Sequence, residues 1–423
     1  MSAGIPPARP LRIALDARIE DGIPGGVQQA IIGLASGLSG LQDGDEEYRF
    51  LAYEGSFGWL EPHLHGRCTP LLVHRSPPPA WSRVARSAAR IGLVRRIADA
   101  TVGRLVPMSV PASDGAVERA GVDVVHFTTQ AGFRTAIPSI YTPHDLQHLH
   151  LPGHFSVLER RWRAATYPAM VAQARVVVAL SRWGKHDLVE RLAIPTDKVH
   201  VIGWAPALDA YAAPLPADFA IVRERHRLPE AFAYFPGQTF RHKNHLRLLD
   251  AIALLRDRHG LQIPVVFSGR KTEFFAVIER RVHALRLQGL VHFLGFVSTG
   301  DVQVLYRLAR FLVFPPEFEG FGLPVVEAFR AGLPVACSNV TSIPEIVERA
   351  ALLFDPYRTE EMAEVMRRLW TDASIRDDLV RLGRQRAEKL TWLDVASRYR
   401  ALYRLVGGRR LSDVDRVLLA ETL

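Results

Sequence analysis

Residues 318–328 of this chain read Phe318-Glu319-Gly320-Phe321-Gly322-Leu323-Pro324-Val325-Val326-Glu327-Ala328. The apolar, β-prone run Phe311–Phe314 precedes them, which predicts a strand. Pro324 suits a first helical position and Gly332 a C-terminal stop, so a helix is predicted between them. The stretch therefore predicts a strand followed directly by a helix, which is the repeating unit of parallel α/β folds.

The residue types at this predicted junction favour a phosphate-bearing ligand. Gly320 and Gly322 leave backbone N–H groups accessible, and together with the positive end of the helix dipole these groups can hold a pyrophosphate. Glu319 and Glu327 flank the helix start, and carboxylates are good acceptors for pairs of sugar hydroxyls. Two acids around a diphosphate indicate a ligand that carries a sugar at each end.

The stretch resembles the Glu-x7-Glu motif of the GT4-type (group 1) retaining glycosyltransferases, which use nucleotide-sugar donors. The resemblance continues through Gly332-Leu333-Pro334-Val335, Thr341-Ser342-Ile343-Pro344-Glu345-Ile346 and Ala351-Leu352-Leu353-Phe354-Asp355-Pro356. It implies the GT-B fold, an α/β architecture of two Rossmann-like, doubly wound domains that face each other across a cleft. It also implies that Glu327 holds the ribose hydroxyls, that Glu319 holds the transferred sugar, and that Phe321 and Leu323 lie at the donor.

Length and composition are consistent with a two-domain enzyme. A chain of 423 residues exceeds one hydrophobic core and suits two domains of about 200 residues each. No run of 18 or more apolar residues predicts a membrane span, and residues 1–10 lack the apolar core of a signal peptide. Cys68 and Cys337 match neither a disulfide framework nor a zinc site. We therefore expect a cytoplasmic protein.

The net charge of +9 calls for an anionic partner, and composition alone does not choose among nucleic acid, membrane and phosphorylated substrate. Nucleic acid is disfavoured because no helix-turn-helix, zinc or RNP-like pattern accompanies the basic residues. The densest cluster, Ser82–Arg104, reads as a basic amphipathic helix. It would suit peripheral contact with an anionic membrane or an acceptor groove, or equally a solvated helix packed on its own domain.

Short β-prone runs alternate with helical segments twice along the chain, which predicts two parallel sheets wrapped by helices. The predicted strands are Leu11–Leu15, Tyr48–Tyr53, Leu71–His74, Val122–Phe127, Ser139–Thr142, Val176–Leu180, Val199–Ile202, Phe232–Phe235, Pro264–Phe267, Val291–Leu294, Phe311–Phe314, Val335–Ala336 and Leu352–Phe354. Residues 1–205 are predicted to form the first domain and residues 221–390 the second, with the Ala- and Pro-rich residues 206–220 as a linker. Residues 391–423 are predicted to be helical, beginning with Trp392–Val406, and the resemblance implies that this helix crosses back to the first domain.

Three loops of the second domain carry further candidates. Arg241 and Lys243 follow a predicted strand, where they can neutralise a diphosphate leaving group, and Lys243 matches the family's phosphate-binding lysine. Gln238 stands where many members carry an arginine, so Arg241 is the candidate for the second charge. Gly269 would allow close approach of a ligand, and Val297 lies where the family holds the nucleobase through backbone groups.

Two loops of the first domain carry the remaining candidates. Gly25 and Gly26 precede a helix near Gln28, a weak phosphate-loop signal that the resemblance places at the donor or the acceptor. His144 and Asp145 end a predicted strand. The resemblance implies that His144 lies beside the donor sugar, and Asp145 is a candidate partner on the acceptor side.

The residues and the resemblance together predict a retaining hexosyltransferase that moves a sugar, with mannose first, from a nucleoside-diphosphate sugar to an acceptor hydroxyl. A lipid-linked or polysaccharide acceptor is expected by analogy. No cofactor or metal is predicted, because the cationic loop and the helix start would take the place of Mg²⁺. Two alternatives remain at this point: a Rossmann-type NAD(P)-dependent oxidoreductase, and a GT-B nucleotide-sugar binder or epimerase without transfer.

Overall fold

The computed structural model describes residues 9–19, 25–75 and 108–420. The predicted basic helix Ser82–Arg104 lies outside these residues. The described chain divides into two compact units. Unit 1 comprises the residues up to Ala179, Lys185–Ile202 and the residues from Leu393 on, and unit 2 comprises Leu180–Gly184 and Gly203–Trp392.

Unit 1 contains a parallel sheet of seven strands in the order β3-β2-β1-β4-β5-β6-β7. The strands are β1 (Arg12–Asp16), β2 (Glu47–Tyr53), β3 (Cys68–Val73), β4 (Val124–Phe127), β5 (Ser139–Tyr141), β6 (Val176–Ala179) and β7 (Val199–Val201). Its helices are α1 (Gly26–Ser39), α2 (Ala116–Arg119), α3 (Gln147–His150), α4 (Val157–Gln173), α5 (Arg182–Leu192), α14 (Trp392–Val406) and α15 (Asp413–Ala420). The first three residues of α5 and the first residue of α14 belong to unit 2. Strands such as β6 are buried at every position, as expected for a parallel sheet covered on both faces.

Unit 2 contains a second parallel sheet, of six strands in the order β10-β9-β8-β11-β12-β13. The strands are β8 (Ala233–Pro236), β9 (Val265–Ser268), β10 (Val291–Phe293), β11 (Phe311–Phe314), β12 (Val335–Ser338) and β13 (Ala351–Phe354). Its helices are α6 (Pro216–Arg225), α7 (His245–His259), α8 (Phe275–Ala284), α9 (Thr299–Leu308), α10 (Leu323–Ala331), α11 (Ile343–Val347), α12 (Thr359–Thr371) and α13 (Ala373–Glu388). Every strand predicted from the sequence overlaps an observed one, because continuous apolar runs mark buried parallel strands.

The strand order reverses between β8 and β11 in unit 2 and between β1 and β4 in unit 1. Doubly wound sheets bind ligands beyond the carboxyl ends of the strands at this switch point. The sheet of unit 2 therefore marks the loops after β8 and β11 as the candidate ligand site, and these are the loops that contain Lys243 and Glu319.

The predicted linker, residues 206–220, belongs to unit 2 and is largely structured. It contains the short 3-10 helix Ala207–Ala210 and the first half of α6. Pro216 stands in the first turn of α6, where the absence of an N–H costs nothing, and Asp218 accepts a hydrogen bond from the Leu215 N–H at 2.7 Å. Pro206, directly before the 3-10 helix, and Pro216 thus mark helix starts.

The last two helices are bound to unit 1 by aromatic and ionic contacts. From Leu393 on, the chain belongs to that unit, and the Tyr403 hydroxyl lies 2.9 Å from Nδ1 of His126 on β4. Arg404 bridges two carboxylates, Glu46 at 2.6 Å and Asp415 at 3.0 Å, whose side chains are only 2% and 3% exposed. Burial acts to lower the pKa of Arg404, but the two acids raise it above its ordinary value. None of the described helices has the length and apolar character needed to span a bilayer.

We expect Arg404→Met to lower the free energy of unfolding by about 3–5 kcal/mol, because it leaves two buried carboxylates without their cation. Arg416→Met is the control, since the Arg416–Asp413 pair on α15 is exposed on both sides and should change stability by less than about 0.5 kcal/mol. Urea unfolding of both variants measures the difference. Equal losses would contradict the anchoring role of Arg404.

Candidate functional site

The Glu-x7-Glu stretch forms the loop between β11 and α10, as the sequence predicts. The helix begins at Leu323, one residue earlier than predicted, and Pro324 lies in its first turn. Gly322 precedes the helix with φ of 101°, a conformation that side-chain-bearing residues rarely adopt. Gly332 ends the helix in the left-handed conformation, as predicted. The backbone N–H groups of the first turn of α10 thus lie beyond the carboxyl end of β11.

Lys243 and Glu319 form an ion pair, although 76 residues separate them in the chain. Lys243 follows β8 in a 3-10 turn, and its ammonium also lies 5.1 Å from the centre of the Phe314 ring. Both side chains of the pair are mostly buried, at 17% and 13% exposure. Arg241, in the same turn, is exposed. The structure therefore brings together the predicted cation and the predicted sugar-binding acid at the switch point.

The backbone of Glu319 is held from the loop after β12. Thr341 Oγ1 donates to the Glu319 carbonyl at 2.8 Å and accepts from the Glu319 N–H at 3.1 Å. Ser342 Oγ lies 3.0 Å from the same carbonyl and 3.3 Å from that of Phe321. Thr341 adopts φ of 52°, which is unusual for a β-branched residue. Strained backbone that is held by hydrogen bonds is typical of functional sites.

Glu327 points into the protein from α10 and is 8% exposed. Tyr306 on α9 donates its hydroxyl to Glu327 Oε2 at 2.7 Å. Burial raises the pKa of Glu327 to about 7, and the negative charge of Asp209 adds to the rise. The hydrogen bond from Tyr306 acts in the opposite direction and lowers the pKa. Asp209 is itself paired with Arg330 at 2.9 Å. Glu327 is therefore an acid whose ionisation is balanced near neutral pH.

Aromatic residues of unit 2 support the loop. The rings of Trp183 and Phe318 pack edge-on at 5.5 Å, and those of Trp204 and Phe321 at 5.9 Å. Glu345 accepts hydrogen bonds from the backbone N–H groups at 182 and 183, at 2.8 and 3.1 Å, and so fixes the segment that carries Trp183. Because the side chain of Phe321 is buried, only its backbone is available to a ligand.

Three further donor-site candidates are packed against other parts of the protein. Leu323 is 6% exposed and Val297 is 7% exposed, so each could meet a ligand only through its backbone. The backbone of Gly237 fills the space beside Gly269: a Cβ on Gly269 would lie 2.3 Å from the Gly237 carbonyl oxygen. Gly269 also has φ of 128°. The need for glycine at this position therefore comes from the neighbouring loop, which the sequence did not reveal.

In unit 1, α1 begins at Gly26, two residues before the predicted start near Gln28, so Gly25 precedes the helix and Gly26 is its first residue. His144 follows β5 with φ of 68°, and its Nε2 lies 2.8 Å from the Thr128 carbonyl. That acceptor assigns the proton to Nε2, and burial lowers the pKa of His144 to about 4. The imidazole is thus neutral at pH 7. Asp145 Oδ1 accepts the N–H of Gln147, the first residue of α3, at 3.0 Å.

These groups can hold an anion and the hydroxyls of a sugar. Lys243 and the first turn of α10 supply positive potential, and the two acids supply acceptors. Within residues 9–19, 25–75 and 108–420, no group of three or more His, Cys, Asp or Glu side chains is arranged to hold a metal ion. Tyr306, Ser342 and the Asp209–Arg330 pair were missed from the sequence, because hydroxyls and single ions are common and no spacing links them to the motif.

Comparison with known proteins identifies the family of the chain. A family model described as glycosyl transferases group 1 matches residues 218–386, and one described as glycosyltransferase family 4 matches residues 59–204. O-antigen chain mannosyltransferase B of Escherichia coli is 27% identical over 269 residues, which are 63% of this chain and 70% of that protein. Serotype-specific mannosyltransferase WbdA of Escherichia coli is 27% identical over 229 residues, or 53% of this chain but only 28% of that longer protein.

Solved structures share the fold. The structure of Anabaena HepE in complex with UDP and glucose superposes with a TM-score of 0.67 at 17% identity, over 93% of this chain and 99% of that one. The predicted GT-B class of two Rossmann-like sheets is confirmed. The family matches also remove the oxidoreductase alternative.

We expect Thr341→Val to lower the free energy of unfolding by about 1–3 kcal/mol, because it leaves the Glu319 N–H without its acceptor. Both residues are β-branched, so the backbone strain at this position is unchanged. Thr371→Val is the matched control: its hydroxyl also donates to a carbonyl, that of Arg367, but on an exposed helix end. Denaturant unfolding should show less than about 0.5 kcal/mol for the control. If Thr341→Val also lost less than about 0.5 kcal/mol, the hydrogen-bonding role of Thr341 would be contradicted.

Proposed function

Because the chain belongs to the group 1 glycosyltransferases, we propose that it transfers mannose from a nucleoside-diphosphate sugar, with GDP-mannose first, to a hydroxyl of a saccharide acceptor with retention. The names of both curated relatives, as mannosyltransferases, support the sugar, and the name of O-antigen chain mannosyltransferase B supports the class of acceptor. The acceptor is proposed to belong to polysaccharide or glycolipid synthesis. A lipid-linked acceptor would bring the enzyme to a membrane surface.

The pairing of Lys243 with Glu319 at the switch point of unit 2 is the observation that carries the proposal. Departure of the nucleoside diphosphate develops negative charge on its β-phosphate. The Lys243 ammonium and the first turn of α10 can stabilise that charge in a site that needs no reorganisation. Lys243 has three N–H donors, so it can contact a phosphate while it still holds the Glu319 carboxylate.

Each of the two acids is proposed to bind a different sugar of the donor. Glu319 is proposed to accept hydrogen bonds from the transferred sugar, and Glu327 from the ribose hydroxyls. The acceptor hydroxyl attacks the anomeric carbon on the face that the phosphate leaves, and its proton passes to the departing phosphate oxygen. No protein nucleophile is then required. His144 is proposed to contribute as a neutral hydrogen-bonding group, because its lowered pKa keeps it uncharged at pH 7.

The same charges support a metal-independent mechanism. Lys243 and the helix dipole would replace the divalent cation that neutralises diphosphates in other transferases. Arg241 is exposed in the same turn as Lys243. We propose it as the second cation, because Gln238 stands at the position where many members of the family carry an arginine.

We expect GDP and GDP-mannose to raise the melting temperature of the protein more than UDP, ADP, dTDP and their sugars do. A ligand at 100 times its Kd stabilises the native state by about 2.7 kcal/mol. Glu327→Ala should weaken the shift, and EDTA should leave it unchanged. Stabilisation by another nucleotide would replace the proposed base, stabilisation by none would contradict the donor site, and a shift lost with EDTA would contradict metal independence.

We expect Glu319→Gln to lower kcat for mannose transfer by at least about 10²-fold, because an amide holds the sugar hydroxyls less firmly as charge develops. Nucleotide affinity should stay nearly unchanged. Glu317→Gln is the matched control, since Glu317 lies on the same loop, is similarly buried and pairs with Arg247 at 2.6 Å. The assay follows release of GDP and formation of the mannosylated product. Undiminished transfer in Glu319→Gln would refute the role given to Glu319.

A further inference from the structure

A buried phenol stands directly behind the proposed ribose-binding acid. Tyr306 is fully buried on α9, and its hydroxyl has one proton to donate. Two acceptors lie near it, Glu327 Oε2 at 2.7 Å and the Pro324 carbonyl at 3.3 Å. The shorter contact is to the carboxyl group, and a hydrogen bond to a carboxylate is stronger than one to a carbonyl. The proton of Tyr306 is therefore directed at Glu327.

We propose that Tyr306 is a positioning residue for the donor: it holds one oxygen of Glu327 so that the other faces the ribose hydroxyls in the ionised state. This inference rests on the proposed function of Glu327. Tyr306 does not touch the nucleotide, and acts only through the carboxylate.

The phenol is itself held rigidly by the sheet. The ring of Tyr234 on β8 meets the Tyr306 ring edge-on, with centroids 5.1 Å apart and planes at 89°. The Tyr234 hydroxyl lies 2.6 Å from Ser268 Oγ at the end of β9. The hydroxyls of two adjacent buried tyrosines therefore have different partners: that of Tyr306 meets Glu327 and, at longer distance, the Pro324 carbonyl, and that of Tyr234 meets a neutral serine.

The ionisable groups around Glu327 come from four elements. Tyr306 faces it from α9, and Tyr234 stands behind Tyr306 on β8. Asp209, from the 3-10 helix before α6, disfavours a second negative charge, and Arg330 on α10 pairs with that aspartate. Burial raises the pKa of Glu327 to about 7, while the Tyr306 hydrogen bond acts to lower it. Among these groups of the described chain, Tyr306 stabilises the charge of Glu327 directly, by a hydrogen bond.

A pH dependence of donor binding follows from this arrangement. Hydroxyls bind a carboxylate better than a carboxylic acid, so the ribose contact should strengthen as pH rises through about 7 and level off above it. Removing the phenol removes an interaction that favours the ionised form. The pKa of Glu327 then rises further, and the pH at which the ribose contact strengthens moves upward.

The test compares the affinities of GDP and 2′,3′-dideoxy-GDP from pH 6 to 9, with the uridine pair in parallel. The ratio of the two affinities isolates the ribose contact and cancels the titration of the phosphates. In the wild type we expect the ratio to rise through about pH 7. In Tyr306→Phe we expect the midpoint to move up by about one unit, and the ratio at pH 7.5 to fall about threefold in consequence.

Tyr234→Phe is the matched control, because it removes the neighbouring hydroxyl and leaves Glu327 untouched. Its midpoint should equal that of the wild type. A wild-type midpoint in Tyr306→Phe, or an equal shift in Tyr234→Phe, would overturn the positioning role while the donor site stands. A wild-type ratio near one at every pH would overturn the role of Glu327 as well, and a wild type that binds neither GDP nor UDP would overturn the inference together with the proposed donor.

Discussion

A parallel sheet whose strand order reverses must send the chain away from two neighbouring strands in opposite directions, and this constraint organises unit 2. The strands at that point are β8 and β11. The loops after these two strands lead to helices on opposite faces of the sheet, which leaves a crevice between the loops at the carboxyl ends of the strands. Residues of the two loops can meet there. Lys243 and Glu319 do meet there, as a mostly buried ion pair. Each group needs the other, because an isolated charge at that burial would be costly.

The two acids of the motif have different electrostatic surroundings. Glu319 has a cation as its partner, whereas Glu327 is deeper in the protein and has a phenol. A phenol stabilises a carboxylate less than an ammonium does, which is why burial dominates at Glu327 and its pKa rises to about 7. The acid proposed for the transferred sugar is thus paired with the lysine proposed for the diphosphate. The acid proposed for the ribose remains sensitive to pH.

Much of this organisation could be predicted because it is local in the chain. Apolar runs mark the buried strands, and Gly332 marks the end of α10. The prediction that differed is one where a residue type suits two structures: Pro216 suggested a linker and begins a helix. At Gly269, ligand approach stays a prediction, and the structure adds a second reason for glycine, since the backbone of Gly237 packs against it. The functional roles of the candidate residues remain predictions, although the structure gathers those of unit 2 at one edge of its sheet.

The sequence by itself determined the fold class, the strand-to-helix junction and the residue types that suit a nucleotide-sugar, because these depend on short-range patterns of burial and turn formation. Only the tertiary structure decided which side chains meet. Lys243 reaches Glu319 across 76 residues, and Tyr306 reaches Glu327 from a different helix. The physical reason is that strand order, and not sequence distance, brings these elements together, while a buried tyrosine has the same appearance in the sequence whether its hydroxyl meets a carboxylate or a serine.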